Sequence, residues 1–182
     1  MSKILISACL AGFPVRYNGS DKKTVSEYLD IWHKENRLVT FCPELAAGFP
    51  TPRPSAEIIP SLSGRAVITQ GARVIESSGT DVTEKYILGA WLALKMAKEH
   101  GCRFALLTEG SPSCGSQRVY NGQFNGQTTA GYGVVAELLL IHGIEVFAEH
   151  NISALVQRVS ENDQQNREGV RERSRITPYY SE

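Results

Sequence analysis

The chain has 182 residues, 42% of them hydrophobic and 21% charged, and its 19 basic residues balance 19 acidic ones. That is the composition of a globular domain with a core of its own, and a net charge of zero offers no global attraction to nucleic acid or to an anionic membrane. No apolar run reaches the roughly 18 residues of a membrane span. The apolar N-terminal stretch is interrupted by Ser7 and Gly12 and followed by "RYNGSDKK" rather than a cleavage site, so a cytoplasmic protein is expected. Balanced charge and ordinary composition are compatible with a monomer.

In chain order, "KILISACL" fits a buried strand. "DKKTVSEYLDIWHKEN" puts Val25, Tyr28, Leu29 and Trp32 at helical spacing, and "RLVTFCP" is a second strand. "ELAAGFPTPRPSAEIIP" is too rich in Pro and Gly for regular structure and reads as an extended loop. "GRAVITQGARVIES" reads as a β-hairpin, two alternating runs around "TQGA". "DVTEKYILGAWLALKMAKEHG" is the strongest helix, with Asp81 and Glu84 as an N-capping pair and Gly101 as its stop. "CRFALLTE" is a third buried strand. A helix lies within "TTAGYGVVAELLLIHG", a strand in "IEVFAE", and a last helix in "NISALVQRVSENDQQ", capped by Asn151 or Ser153.

Strands alternating with helices predict a single α/β domain over residues 1–160: a mainly parallel sheet flanked by helices, with a β-hairpin insertion. Residues 161–182 read as a polar C-terminal tail, frayed or disordered. In such a fold, ligands sit outside the carboxyl ends of the strands.

The four cysteines divide three plus one on this scheme. Cys9 and Cys42 end the first and second strands, and Cys114 lies in the loop beyond the third; Cys102 begins that third strand, at the opposite edge. None forms a CxxC pair, so only the fold can bring them together. Two readings stay open. Scattered cysteines commonly fill cores. Alternatively, three thiolates at one edge need a cation, zinc or an iron–sulfur cluster, and three protein ligands leave one position open for chemistry.

Their neighbours suit a site. Arg16 and Tyr17 follow Cys9, Glu44 and Arg53 follow Cys42, and Ser111, Ser113 and Ser116 surround Cys114. Glu44 is either a buried general acid–base or a helical-turn residue facing water. Ser111 is either a proton relay or a turn residue ahead of Pro112. Arg53 either orients a polar substrate or braces its loop. His33, His100, His142 and His150 form no metal-binding spacing and read as structural or surface residues, and "NGQFNGQTTAGYG" lacks the Lys of a phosphate loop.

"SACLAG…RYNG", "CPELAAGFPTPRPSAEI", "GTDVT" and "SPSCGS…YNGQF" resemble, in order, the signature segments of the domain of unknown function 523 family, whose characterised members are thiouracil desulfidases. The resemblance runs through about residues 3–150. It implies a [4Fe-4S] cluster held by Cys9, Cys42 and Cys114 with one iron open, and catalytic roles for Glu44 and Ser111. It further implies a small thiolated substrate whose thiocarbonyl sulfur binds the open iron and leaves as sulfide without net redox change. Where the family often has "GG" after "CPE", this chain has Ala47 and Gly48, a departure that bears on substrate fit. A non-catalytic iron–sulfur or sulfur carrier, or redox sensor, and a zinc protein using the same three cysteines are the alternative readings.

Overall fold

A computed structural model describes residues 1–60 and 63–175. Strand β1 (Lys3–Ser7) is apolar on both sides of its pleat, and Ile4, Leu5 and Ile6 are all buried. Such a strand is stable only inside a sheet covered on both faces. It pairs in parallel with β2 (Leu38–Phe41) on one side and β5 (Cys102–Leu107) on the other, and β8 (Glu145–Ala148) adds to β5, giving the order β2-β1-β5-β8.

One face carries α1 (Glu27–Lys34) and α6 (Ile152–Arg175), whose Leu29, Trp32, Leu155 and Val159 pack with Ile4, Ile6, Phe104 and Leu106. The other face meets α4 (Thr83–Glu99) and α5 (Val134–Ile141), with Leu5, Ala105 and Leu107 in the same apolar cluster. Helix α4 turns Ala90, Ala93 and Ala97 inward, small side chains that let it lie close to the sheet and to α5. Its stop is as expected, Gly101 taking the left-handed conformation (φ 65°) that ends the helix. Its start is not the expected Asp81–Glu84 pair: the N-cap is Val82, with no side-chain cap. Asp81 Oδ1 accepts the Thr83 N–H at 3.0 Å from just outside the helix, and Glu84 only places a negative charge in the first turn.

The parallel sheet flanked by helices is as expected, but several elements differ in detail. The hairpin expected within residues 64–77 is instead a short helix, α3 (Gly64–Thr69), followed by β4 (Arg73–Glu76). The partner of β4 is β3 (Ala56–Ile59), in a stretch expected to be loop, and the two pair antiparallel. Residues 65–68 alternate like a strand, yet Ala66 and Val67 are buried in the cluster that contains α5, and that packing overrides strand propensity. A second antiparallel pair, β6 (Arg118–Tyr120) with β7 (Thr128–Ala130), occupies the glycine-rich segment.

The expected tail is helical as far as Arg175. Leu155, Val159, Asn162 and Asp163 form one buried stripe at helical spacing, and its second half is polar. Asp163 Oδ1 accepts from Ser2 N and Ser2 Oγ, each at 2.7 Å, and its Oδ2 accepts from Arg37 Nη2 at 2.7 Å. Asn162 Nδ2 donates to Ser2 Oγ at 2.7 Å. The helix thus fastens the start of β1 and the residue before β2. Residues 176–182 of the expected tail lie outside the described residues.

From β1 the chain proceeds to β2 on one side of the sheet and later to β5 on the other, so the strand order reverses between β1 and β5. The crevice above that reversal is where α/β sheets take ligands.

Candidate active site

Each candidate residue leaves the sheet at its carboxyl edge. Beyond β1 the chain folds into a turn, with Leu10 N–H donating to Ser7 O at 2.9 Å and Gly12 N–H to Cys9 O at 3.2 Å, which fixes Cys9 over the strand end. Cys42 is the first residue past β2 and the N-cap of the short helix α2 (Pro43–Ala46), where Pro43 supplies a helical φ at the first position. Cys114 lies in the loop after β5, and that loop is held from three directions. Three N–H groups at the start of α5, which no intrahelical carbonyl can satisfy, donate to it: Gly133 to Gly115 O (2.7 Å), Val134 to Pro112 O (2.8 Å) and Val135 to Ser113 O (2.9 Å). Ser111 Oγ accepts from Ser113 N (3.0 Å) and Cys114 N (3.2 Å). Glu109 Oε1 accepts from the N–H groups of Ser116, Gln117 and Arg118 at 2.9–3.0 Å.

The three loops enclose one cavity of about 320 Å³. Cys9, Cys42, Cys114, Glu44 and Ser111 all line it, and Cys102 does not. Cys9 Sγ and Thr108 Oγ1 stand 2.7 Å apart across the β1–β5 crevice, and either can donate. Burial pushes the Cys9 and Cys42 thiols up, only partly opposed by the Thr108 hydrogen bond at Cys9 and backbone hydrogen bonding at Cys42. Cys114 is raised furthest of the three, first by burial, then by the negative charge of Glu44, with Cys9 and Cys42 adding to it against a hydrogen bond with Ser7. Cys114, the deepest of the three, therefore senses both other sulfurs. Cys102, buried elsewhere, is pushed up to about 11 by burial, with Lys3 opposing.

Glu44 and Arg53 form an ion pair with side chains 15% and 3% exposed. Burial raises the Glu44 carboxyl above its ordinary value despite the Arg53 guanidinium and a hydrogen bond with Ser111. Arg53 donates also to Pro50 O and Val15 O, and its N–H to Tyr17 O, so it both pairs Glu44 and ties the Cys42 loop to the Cys9 loop. Three histidines make contacts of their own: His100 with Met96 O, His142 with Leu138 O, His150 with Gln117.

Sequence reasoning missed Thr108, Glu109 and Glu57, which also line the cavity. Thr108 and Glu109 follow directly on the third strand, where the edge rule points, but they read as its last residues. Glu57 was hidden because its strand was read as loop.

The donor set fits an iron–sulfur cluster. Three thiols on one cavity, Cys9 and Cys114 buried and Cys42 half-buried, cannot ionise together without a cation, and binding one would supply it. A single zinc about 2.3 Å from each sulfur would draw the three sulfurs nearly into contact. A cluster spreads its cysteines over different irons.

Fold and pocket together define an α/β protein with a three-cysteine cavity at the switch point of a parallel sheet. The chain belongs to the 2-thiouracil desulfurase family, whose sequence pattern matches residues 4–151. Among solved structures it is similar to the [4Fe-4S]-dependent thiouracil desulfidase TudS, also designated DUF523Vcz, with a TM-score of 0.80 and 48% identity over 88% of this chain and 99% of that one. The resemblance to the 523 family is thereby borne out. Among curated proteins it is 43% identical to the uncharacterised YbbK of Bacillus subtilis (strain 168), over 84% of this chain and 99% of YbbK.

Proposed function

We propose that the protein removes sulfur from thiolated nucleobases such as 2-thiouracil, using a [4Fe-4S] cluster held by Cys9, Cys42 and Cys114. The observation that carries this reading is the gathering of those three thiols with Glu44 and Ser111 on one cavity that leaves Cys102 out. The net reaction is a hydrolysis: thione and water give the oxo base and hydrogen sulfide, and no electrons are gained or lost. When bound, the cluster supplies an open iron, a soft Lewis acid that takes the thiocarbonyl sulfur and polarises the C=S carbon.

The protein groups handle protons and position. Glu44, raised by burial yet held by Arg53, is the group to take a proton from the attacking water and return one to the leaving sulfur. Ser111 already accepts two N–H bonds, so its own hydrogen is free to donate, to Glu44 at rest and to charge developing on the ring during attack. Exposed thiolate-bound iron is oxygen-labile, which suits a reducing compartment such as the cytoplasm.

The test is anaerobic reconstitution with iron and sulfide, then incubation with 2-thiouracil. One cluster per chain, a brown colour, and equal amounts of uracil and sulfide are expected. A colourless protein holding stoichiometric zinc sinks the cluster. A loaded protein that turns over no thio-base leaves the carrier or sensor reading instead.

A further inference from the structure

The segment "YNGQF", which closes the cavity from the β6–β7 side, is not used by the chemistry above. Phe124 has a backbone φ of 52°, a left-handed conformation that bulky side chains rarely adopt. The loop is built to hold it there. Phe124 N–H donates to Glu57 Oε2 at 3.1 Å, and Glu57 on β3 is only 6% exposed. Asn121 N–H donates to Gln127 O (3.0 Å), and the Asn121 and Asn125 side chains accept from Gln123 N and Gln127 N at 3.0 Å each. The loop lies so close on β3 that a Cβ at Gly122 would fall 2.6 Å from Ile58 O. The ring so positioned is not buried: Phe124 is 39% exposed and lines the cavity that holds the three cysteines, alongside Tyr17 and Tyr120, each also partly open to solvent.

A backbone held out of its ordinary range to aim a half-exposed phenyl ring at a cavity gains little for the core. Its use lies with whatever enters. Resting on the desulfidase reading, we infer that Phe124 is the stacking surface that selects planar ring thiones over acyclic ones, and that Glu57 is the positioning residue that holds it. A pyrimidine thione presents a π-face to the ring, whereas thioacetamide presents almost none. Base–aromatic stacking has a scale corresponding to about a tenfold change in binding.

The experiment compares 2-thiouracil with thioacetamide on cluster-loaded protein, reading binding by calorimetry and turnover by sulfide release. Phe124→Ala should raise KM and Kd for 2-thiouracil about tenfold, leave kcat and iron content nearly unchanged, and leave thioacetamide unaffected; Phe124→Tyr should retain wild-type values. Phe124→Gly removes ring and backbone strain together, so it should bind as poorly as the alanine variant while unfolding no earlier than wild type. Glu57→Ala should reproduce the loss with Phe124 intact, and Glu57→Gln, which keeps an acceptor, should restore it. Phe124→Ala with unchanged KM, or with both substrates weakened equally, overturns the inference while the desulfidase reading stands. Wild type that neither binds nor desulfurises 2-thiouracil overturns both.

Discussion

Gly133→Ala tests whether the loop that carries Cys114 is held by α5. Gly133 has φ −70° and ψ 170°, open to alanine as a backbone conformation, so any effect is steric. An added Cβ would stand 2.3 Å from Ser113 O, 2.5 Å from Ser113 C and 2.8 Å from Pro112 O. All three are backbone atoms, and moving the nearest out to an ordinary 3.4 Å contact displaces the loop by about 1 Å. That displacement strains the bonds from Gly133, Val134 and Val135 to loop carbonyls, each worth about 1 kcal/mol net. Overpacking of this kind costs roughly 1–3 kcal/mol, so a total loss of about 3 kcal/mol is expected. For a chain of this size that is a fall in Tm of roughly 6–12 °C.

Because Cys114 directly follows the residues displaced, iron content after anaerobic reconstitution should fall as well. The control is Gly169→Ala, the same chemical change inside α6, where the nearest atom is the tip of Arg173 at 4.0 Å. It should stabilise by about 0.5–1 kcal/mol. The measurements are urea unfolding of cluster-free protein and iron per chain. A Gly133→Ala protein with wild-type midpoint and wild-type iron refutes the claim that α5 seats the cysteine loop.

Three more outcomes are expected. Cys9→Ala, Cys42→Ala and Cys114→Ala should each lose most bound iron and sulfide on anaerobic quantification, whereas Cys102→Ala should retain the wild-type content; a Cys102 variant emptied of iron breaks the three-plus-one division. Glu44→Gln should keep its cluster spectrum yet lose at least about 100-fold in turnover, the scale of a missing general base, and Ser111→Ala should lose about tenfold; full activity in Glu44→Gln removes Glu44 from the mechanism. At Asp163 burial acts upward, but hydrogen bonds from Ser2 and the Arg37 guanidinium together hold the carboxyl below its ordinary value. Its folded value is depressed, so its contribution is present above the unfolded value of about 4 and disappears as pH falls through the folded one. Asp163→Ala should therefore cost about 3 kcal/mol in urea at pH 7, as removal of one partner from a buried pair does, and progressively less as the buffer is taken below pH 4. An equal loss at every pH contradicts the assignment.

What could be read from the sequence, and what could not, divides along one physical line. Strands β1 and β5 are apolar on both faces and α4 has a clean inner stripe, so hydrophobic pattern alone locates them. Once they are located, the rule that ligands gather at strand carboxyl ends sends Cys9, Cys42 and Cys114 to one edge and Cys102 to the other, before any side chain is placed. Pattern fails where burial is polar or where a segment's partner is distant. Asn162 and Asp163 look like surface residues until Ser2 and Arg37 come to meet them from the far end of the chain. Strand β3 looks like loop because what makes it a strand is β4, reached only after another helix. Glu57 has no visible task until a loop 67 residues later brings the Phe124 N–H to it. The cysteines carry their chemistry in their own side chains and need the fold only to collect them. The residues that hold the substrate's surroundings in shape carry none until a tertiary contact assigns it. Variants at the first kind of position should remove the cofactor, and variants at the second should leave it bound and change what it can act on.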